Sequence, residues 1–383
     1  MVNSSERYRF GSVKMSTTIN VMVGLFLVTW LSSSCNAART NVTSSTYRPF
    51  PAILIFGDST VDTGNNNYFS AVFRASHLPY GMDSPGYAAS GRFSNGKLFS
   101  DILAERFNIK RMVPPYLKPF LTPQELVSGV CFASSGAGYD ERTSLITRAI
   151  PVSNQIYMFK RYIAKVKGIV GEAKAAEIIS NALVLVSAGP NDFIFNYYQT
   201  ARASRRLQFS NISGYQDLIL NKLQGIVREL YNLGCRKIVV GGLPVMGCLP
   251  VQMTMEITKL TNRTCVEDQN RDSVSYNQKL QNLLPKLEAS LPGSGILYSD
   301  VYKPMMDMLQ HPSKYGFKET KKGCCGTGLL ETTFLCNVFS RTCPNHSEYM
   351  FWDSIHPTEA VANYYGQFIE PRIRRKFLSA KGR

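Results

Sequence analysis

An apolar run that stops at a serine constrains this chain more than any other feature of its sequence. Residues 52–56 read AILIF, and Gly57, Asp58 and Ser59 follow directly. A short, unbroken apolar run that contains β-branched residues is typical of a parallel strand buried on both faces. Because ligands bind at the carboxyl ends of strands in open α/β sheets, such a strand would deliver Ser59 to a binding site. Taken alone, the stretch fits a plain strand followed by a helix cap equally well.

The rest of the chain alternates short apolar runs with helical segments. Further strands are predicted at 126–132, 182–188 and 237–240, and another is expected to begin within 295–300. Helices are predicted over 97–107, 152–180, 215–233 and 270–291, with the clearest amphipathic periodicity in 215–233. This alternation predicts an α/β fold of three layers, α/β/α, around a parallel sheet of about five strands with helices on both faces.

The first 38 residues are predicted to be a signal peptide. Three basic residues precede the apolar run 19–31, and small residues follow, with cleavage expected after Ala37 or Ala38. The run is too short to span a bilayer comfortably, although a signal anchor is the competing interpretation. No other stretch is apolar enough to cross a membrane, so residues 39–383 are expected to form one secreted domain without stable membrane insertion.

The formal net charge of the chain is +16 at pH 7. Such a balance favours attraction to anionic surfaces such as cell-wall polyanions, membranes or nucleic acid. The Lys and Arg residues are scattered and form no basic block interleaved with aromatic residues, so no nucleic-acid partner is expected. An anionic cell-wall matrix is a candidate partner, and a merely solvated positive surface is the alternative.

The cysteines agree with an oxidising compartment. Eight remain after the predicted signal peptide, and an even number in a secreted chain favours disulfides. Cys248 is expected to pair with Cys265. Some of the last four cysteines are expected to staple a cysteine-rich insertion near 321–347; they are Cys324, Cys325, Cys336 and Cys343. A zinc site built from these four is the alternative, although their spacing fits no standard ligand pattern.

Four sequons of the form Asn-x-Ser/Thr lie outside the predicted signal peptide, at Asn41, Asn211, Asn262 and Asn345. In a secreted chain such sequons are acceptors for N-linked glycans. The four asparagines are therefore candidate glycosylation sites and are expected at the surface.

A second motif lies near the end of the chain, where residues 351–359 read FWDSIHPTE. Asp353 and His356 stand three positions apart, so one imidazole nitrogen can donate to the carboxylate while the other faces a nucleophile. Alone, such a pair is more often a surface contact or a helix cap than a catalytic pair. Together with Ser59, the loop at 133–138 and Asn191, it supplies the parts of acyl transfer: a nucleophile, a base and donors for an oxyanion.

These motifs resemble the GDSL esterase/lipase family of the SGNH hydrolase superfamily, and more closely its plant branch. The residues that carry the resemblance are FGDSTVDTGNNN at 56–67, GVCFASSGAGYD at 129–140, VSAGPNDF at 186–193 and FWDSIHPTE at 351–359. The resemblance implies a flavodoxin-like SGNH hydrolase fold. It also implies Ser59 as nucleophile, His356 as general base and Asp353 as its orienting partner, with the Ser59 amide, Gly136 and Asn191 as oxyanion donors.

The resulting hypothesis is a secreted serine esterase or lipase that cleaves carboxylic esters through an acyl-enzyme. Its substrate would be an acyl lipid or an acylated wall polymer, and the chemistry needs no metal and no organic cofactor. Acyl transfer to another alcohol would use the same residues and is an alternative. A non-catalytic wall- or lipid-binding protein that kept the fold is the third hypothesis.

Overall fold

A parallel sheet of four strands lies at the centre of the protein. The computed structural model describes residues 48–199, 204–256 and 263–379, so the predicted signal peptide, Asn41 and Asn262 lie outside the described residues. The sheet has the order β1-β2-β3-β4, formed by Ile53–Gly57, Leu183–Ser187, Lys237–Gly241 and Gly295–Ser299. Because the pairing stays in register, all four carboxyl ends reach the same edge of the sheet.

Strand residues alternate between two apolar cores, as the pleat of a strand requires. One face packs beneath four helices, Val152–Val170, Glu172–Asn181, Ile212–Asn232 and Glu267–Ala289. The opposite face packs beneath Phe99–Arg106 and Glu359–Leu378. The strand side chains that form these cores are at most 5% exposed; they are Leu54, Phe56, Val184, Val186, Ile238, Val240 and Ile296 on the first face, and Ile53, Ile55, Leu183, Leu185 and Val239 on the second. The predicted three-layer α/β/α architecture is confirmed.

The strand predicted over 126–132 begins later than the sequence indicates. Pro123–Val127 is a helix, because the side chains of Thr122 and Glu125 each accept the other's backbone N–H in a capping box. Residues 130–134 then run beside β1, where the Ile55 N–H donates to the Val130 carbonyl (3.2 Å) and the Phe132 N–H donates to the Ile55 carbonyl (2.7 Å). The sheet therefore has four full strands and one irregular edge segment, against the predicted five.

The predicted helices form with shifted ends. Gly171 (φ +81°) divides the helical region 152–180 into two helices. The other described α-helices are Glu141–Thr147, Pro190–Phe193, Ser204–Gln208, Pro250–Met255 and Tyr302–Gln310. Within the described residues, no helix combines the length and apolar character needed to cross a membrane.

The cysteine-rich insertion forms a small substructure of its own. Strand β5, Glu319–Gly323, pairs in parallel with β6, Tyr349–Phe351. The structure pairs Cys248 with Cys265, as predicted, and forms two further disulfides, Cys324–Cys343 and Cys325–Cys336. The zinc alternative is wrong, because all four late cysteines are consumed in disulfides. Cys131 and Cys235 are buried free thiols.

Two of the candidate glycosylation asparagines are described, and both are exposed. Asn211 is the N-cap of Ile212–Asn232, and its side chain accepts the Gly214 N–H. The Asn345 side chain accepts the backbone N–H and the hydroxyl of Ser347. Their exposure agrees with the prediction of glycan attachment, which stays a prediction.

Candidate active site

A sharp turn at the end of β1 presents Ser59. Gly57 has φ +146°, and a Cβ there would lie 1.8 Å from the Ser187 carbonyl oxygen, so only glycine fits. The buried side chain of Gln155 holds this glycine on both sides: its oxygen accepts the Gly57 N–H and its amide donates to the Gly57 carbonyl, each at 2.8 Å. The turn is further closed by Asp58, whose carboxylate accepts the Thr60 N–H and hydroxyl at 3.0 and 2.7 Å.

Ser59, His356 and Asp353 form a continuous hydrogen-bonded chain. The Ser59 hydroxyl lies 2.8 Å from His356 Nε2, although the two residues are 297 positions apart. His356 Nδ1 lies 2.8 Å from Asp353 Oδ2 and 2.9 Å from Oδ1. This is the geometry of a nucleophile, a general base and a carboxylate that orients the base. His356 and Ser59 are 4% and 7% exposed, so the chain of hydrogen bonds is largely shielded from water.

The turn after β6 holds Asp353 and His356 side by side. Asp353 Oδ1 accepts the backbone N–H groups of Ile355 (2.8 Å) and His356 (2.7 Å). The Trp352 N–H donates to the His356 carbonyl at 2.7 Å and closes the turn from the other side. The three-residue spacing read from the sequence therefore has a local structural cause: the carboxylate caps the turn that carries its own imidazole partner.

Two hydroxyls from distant segments complete the environment of Asp353. The Tyr80 hydroxyl donates to Asp353 Oδ2 at 2.7 Å, and the Thr332 hydroxyl donates to the same oxygen at 3.0 Å. Burial raises the pKa of Asp353, but His356 and the hydrogen bonds outweigh burial and leave the pKa below its ordinary value. The carboxylate is thus held ionised beside the imidazole. The sequence alone offers no signal for Tyr80 or Thr332, because neither lies in a motif with Asp353.

Replacing Tyr80 with phenylalanine is expected to lower kcat for a soluble ester about 10- to 150-fold, since a hydrogen bond to a charged group contributes ~1.5–3 kcal/mol. KM should change little, because Tyr80 acts through Asp353. Without this donor the Asp353 carboxylate is more basic and stabilises the protonated imidazole more strongly, so the acid limb of the pH–rate profile should move to higher pH. Initial rates measured over a range of substrate concentrations and pH values give kcat, KM and the position of the acid limb. Tyr87→Phe, at a residue 74% exposed, is the matched control; an unchanged kcat and profile for Tyr80→Phe would contradict a positioning role.

The loop that carries Gly136 is tied to the segment that follows Ser59. Asp62 Oδ2 accepts the Ser135 N–H at 2.9 Å and the Ser135 hydroxyl at 2.7 Å. The Asn66 side-chain amide donates to the Ser135 carbonyl at 2.9 Å. Asp62 and Asn66, which follow Ser59 in the first motif, therefore fix the position of the loop that carries Gly136.

Gly136 occupies a position that no larger residue can take. Its φ is +86°, and a Cβ would lie 2.8 Å from the side chains of Phe73 and Thr147. The Thr147 hydroxyl donates to the Gly136 carbonyl at 2.9 Å and orients this peptide. In the described part of the chain, no acceptor bonds to the amides of Ser59 and Gly136. Backbone donors without an acceptor, one of them on Ser59 itself, are what an oxyanion hole requires.

Asn191 lies beside the same loop. It belongs to the short helix Pro190–Phe193 directly after β2, and its side-chain amide donates to the Ala137 carbonyl at 2.9 Å. The neighbouring Asp192 is buried and accepts the Tyr139 N–H at 2.9 Å, which holds this helix against the loop. The structure thus brings all five sequence-predicted site residues to one end of the sheet.

A mostly apolar cavity of about 130 Å³ lies next to His356. It extends from Thr60 and His356 along the carboxyl ends of β2, β3 and β4 toward the helices Tyr302–Gln310 and Glu359–Leu378. Its apolar lining includes Val186, Val239, Pro244, Met305, Met308 and Ala362. A cavity of this composition suits a hydrocarbon chain.

The hydroxyl groups at this cavity have hydrogen-bond partners within the protein. The Ser299 hydroxyl lies 2.6 Å from the Tyr365 hydroxyl, and the Thr60 hydroxyl lies 3.2 Å from that of Ser187. Because these groups already have partners, an apolar ligand would leave none of them unpaired.

Comparisons with known proteins agree with this geometry. A family model described as GDSL-like lipase/acylhydrolase matches residues 53–368. A protein of Arabidopsis thaliana named GDSL esterase/lipase is 65% identical over 361 residues, which cover 94% of this chain and 98% of the relative. A second protein of the same name and organism is 62% identical over 362 residues, covering 94% of this chain and 99% of the relative.

Proposed function

The chain belongs to the GDSL-like lipase/acylhydrolase family, and from that premise we propose that this carboxylic ester hydrolase works through an acyl-enzyme on Ser59. His356 acts as general base and Asp353 orients it. The observation that carries the proposal is the 2.8 Å contact between the Ser59 hydroxyl and His356 Nε2, with Asp353 on the other side of the imidazole.

In the first half-reaction, His356 Nε2 takes the proton of the Ser59 hydroxyl as the oxygen attacks the ester carbonyl carbon. Asp353 stabilises the imidazolium that forms. The tetrahedral oxyanion accepts hydrogen bonds from the Ser59 and Gly136 amides and from the Asn191 side chain. The intermediate then collapses, and the alcohol leaves with the proton that His356 returns to it.

In the second half-reaction, water replaces the alcohol. His356 removes a proton from the water as its oxygen attacks the acyl carbonyl, and the same donors bind the second oxyanion. Collapse releases the carboxylic acid and returns the proton to Ser59. If another alcohol enters in place of water, the same residues perform acyl transfer.

An acyl lipid or an acylated wall polymer is the proposed substrate class. The apolar cavity beside His356 supports an acyl group with a hydrocarbon chain. The three disulfides are compatible with an oxidising compartment, and together with the predicted signal peptide they support secretion. The net charge of +16 supports an anionic surrounding such as a wall matrix.

The proposal is tested by hydrolysis of p-nitrophenyl esters of graded chain length, followed by product analysis with and without added glycerol. Free acid as the main product supports hydrolysis, and glyceryl ester as the main product supports acyl transfer. A fluorophosphonate probe should label the folded protein covalently, and the label should lie on Ser59. Absence of turnover and labelling in the folded protein would favour a non-catalytic binding protein.

Replacing Asn191 with alanine is expected to lower kcat about 10²- to 10³-fold, the usual cost of removing one oxyanion donor. KM should change less, because the amide is aimed at charge that develops only in the transition state. Steady-state kinetics measure both. Asn154→Ala, at an exposed asparagine, is the control. A kcat within about threefold of wild type would remove Asn191 from the oxyanion hole.

A further inference from the structure

The cysteine-rich insertion exposes a cluster of apolar side chains within ten residues of sequence. We call this cluster the apolar patch; its members are Leu330 (45% exposed), Phe334 (67%), Leu335 (49%), Val338 (63%) and Phe339 (93%). Large apolar side chains grouped at a surface are typical of an interaction site, whereas isolated ones are ordinary.

The loop that presents the apolar patch is fixed in place. The disulfides Cys325–Cys336 and Cys324–Cys343 hold it at its base. The Ser340 N–H donates to the Asn337 carbonyl at 2.8 Å, and the Phe339 N–H donates to the Asn337 side chain at 3.0 Å. The phenylalanine at 339 is therefore held outward by a closed turn, which indicates that its exposure belongs to the folded state.

The apolar patch adjoins the candidate active site. The Thr332 hydroxyl donates to Asp353, and the Thr333 N–H donates to the Tyr80 hydroxyl at 2.9 Å. Phe334 is the next residue, so at most about 7 Å of chain separates it from Thr332. A surface that contacts this patch would therefore lie beside the triad.

Three cations flank the apolar patch along the chain, Lys321 and Lys322 before it and Arg341 after it. Lys321, Lys322 and Arg341 are exposed, and no carboxylate within the described residues forms an ion pair with any of them. Apolar side chains flanked by cations match a lipid surface with an apolar interior and anionic headgroups. A symmetric contact between two copies of this chain would instead oppose like charges, in a chain whose net charge is +16.

We propose that the apolar patch and its three cations dock the enzyme on an anionic lipid surface, with the triad facing that surface. The docked enzyme would draw its ester substrate from a lipid aggregate. Only this catalytic part rests on the proposed function. Docking itself needs no catalysis, so the two can fail separately.

The test is sedimentation with vesicles of phosphatidylcholine containing roughly one third phosphatidylserine, at low and high salt. Wild type is expected to bind. Phe334→Ser combined with Phe339→Ser should lower the partition coefficient at least about tenfold, because two exposed aromatic rings no longer enter the lipid. Phe120→Ser, at a phenylalanine that is 98% exposed outside the patch, should bind as wild type does. Lys321→Glu combined with Lys322→Glu should weaken binding most at low salt.

Catalytic readouts separate this proposal from the proposed function. The double phenylalanine variant should hydrolyse a short, soluble ester at the wild-type rate, and Ser59→Ala should bind vesicles as wild type does. Vesicle binding by a wild-type protein without esterase activity would refute the function and leave the docking standing. Equal vesicle binding by wild type and the double variant, or no binding by wild type, would overturn the docking. The docking would also be overturned if the double variant lost only self-association and still bound vesicles as wild type does.

Discussion

Replacing Ser59 with alanine is expected to lower kcat/KM for a p-nitrophenyl ester by about 10⁴-fold or more, since removal of a catalytic serine abolishes the covalent route. Folding should be unaffected, because the Ser59 hydroxyl bonds to His356 and its loss leaves the turn from Gly57 to Thr60 intact. The measurement is steady-state hydrolysis together with thermal unfolding. If the variant unfolds at the wild-type temperature and hydrolyses the ester no faster than the uncatalysed reaction, the lost activity is due to the missing nucleophile and not to misfolding.

The control for this variant is Ser70→Ala, at an exposed serine eleven positions along the chain. It should retain both turnover and fluorophosphonate labelling, while Ser59→Ala should lose both. Labelling that persists in the folded Ser59→Ala protein would place the nucleophile elsewhere and remove the basis of the acyl-enzyme mechanism.

Replacing Asp353 with asparagine is expected to cost about 10³- to 10⁴-fold in kcat, because the imidazole loses the carboxylate that fixes its tautomer. The substitution should also lower stability, by more than removal of the charge alone would. Every group around the carboxylate donates: two backbone amides face Oδ1, and the hydroxyls of Tyr80 and Thr332 face Oδ2. An asparagine NH₂ would therefore face a donor in either orientation, and the unpaired groups should lower stability by ~1–3 kcal/mol.

The pH dependence of stability gives an independent measure of the same site. The pKa of Asp353 in the folded protein lies below its ordinary value of 3.8. A carboxyl whose pKa is depressed by folding contributes stability above its unfolded pKa, and this contribution disappears as pH falls through the folded pKa. The difference in stability between wild type and Asp353→Asn should therefore be largest above pH 4 and shrink below it.

Asp268→Asn, at an exposed carboxylate, is the control, because its side chain is 81% exposed and its ion pair lies at the surface. It should unfold as wild type does and keep full activity. If Asp353→Asn retained more than a tenth of wild-type kcat, the carboxylate would have no orienting role, and the proposed mechanism would lose its third member.

Much of the candidate site could be predicted from local sequence. Gly57 and Ser59 come at the end of an apolar run that becomes β1, and a glycine at that point permits the sharp turn that the structure forms there. Asp353 and His356 belong to one turn that closes on itself, so their spacing already implies their contact. Such features are readable because their cause lies within a few neighbouring residues.

Other parts of the site could not be predicted from the sequence. Gln155 holds Gly57 from a helix almost one hundred positions later, and Tyr80 reaches Asp353 across 273 positions. A lone glutamine in an amphipathic helix or a tyrosine in a loop carries no pattern that reveals its partner. The start of the edge segment at 130–134 was also not predicted, because the helix that the capping box at Thr122 begins includes the first two residues of the apolar run 126–132.

The sequence by itself determined the local chemistry: a strand that ends in a serine, a turn that joins an acid to an imidazole, and loops of small residues with free amides. Only the tertiary structure decided that these pieces meet, that two hydroxyls hold Asp353 from outside, and that an apolar cavity lies behind His356. The reason is physical. Turns and strands follow from steric limits and hydrogen bonds between near neighbours, whereas distances between segments follow from how the whole sheet and its helices pack.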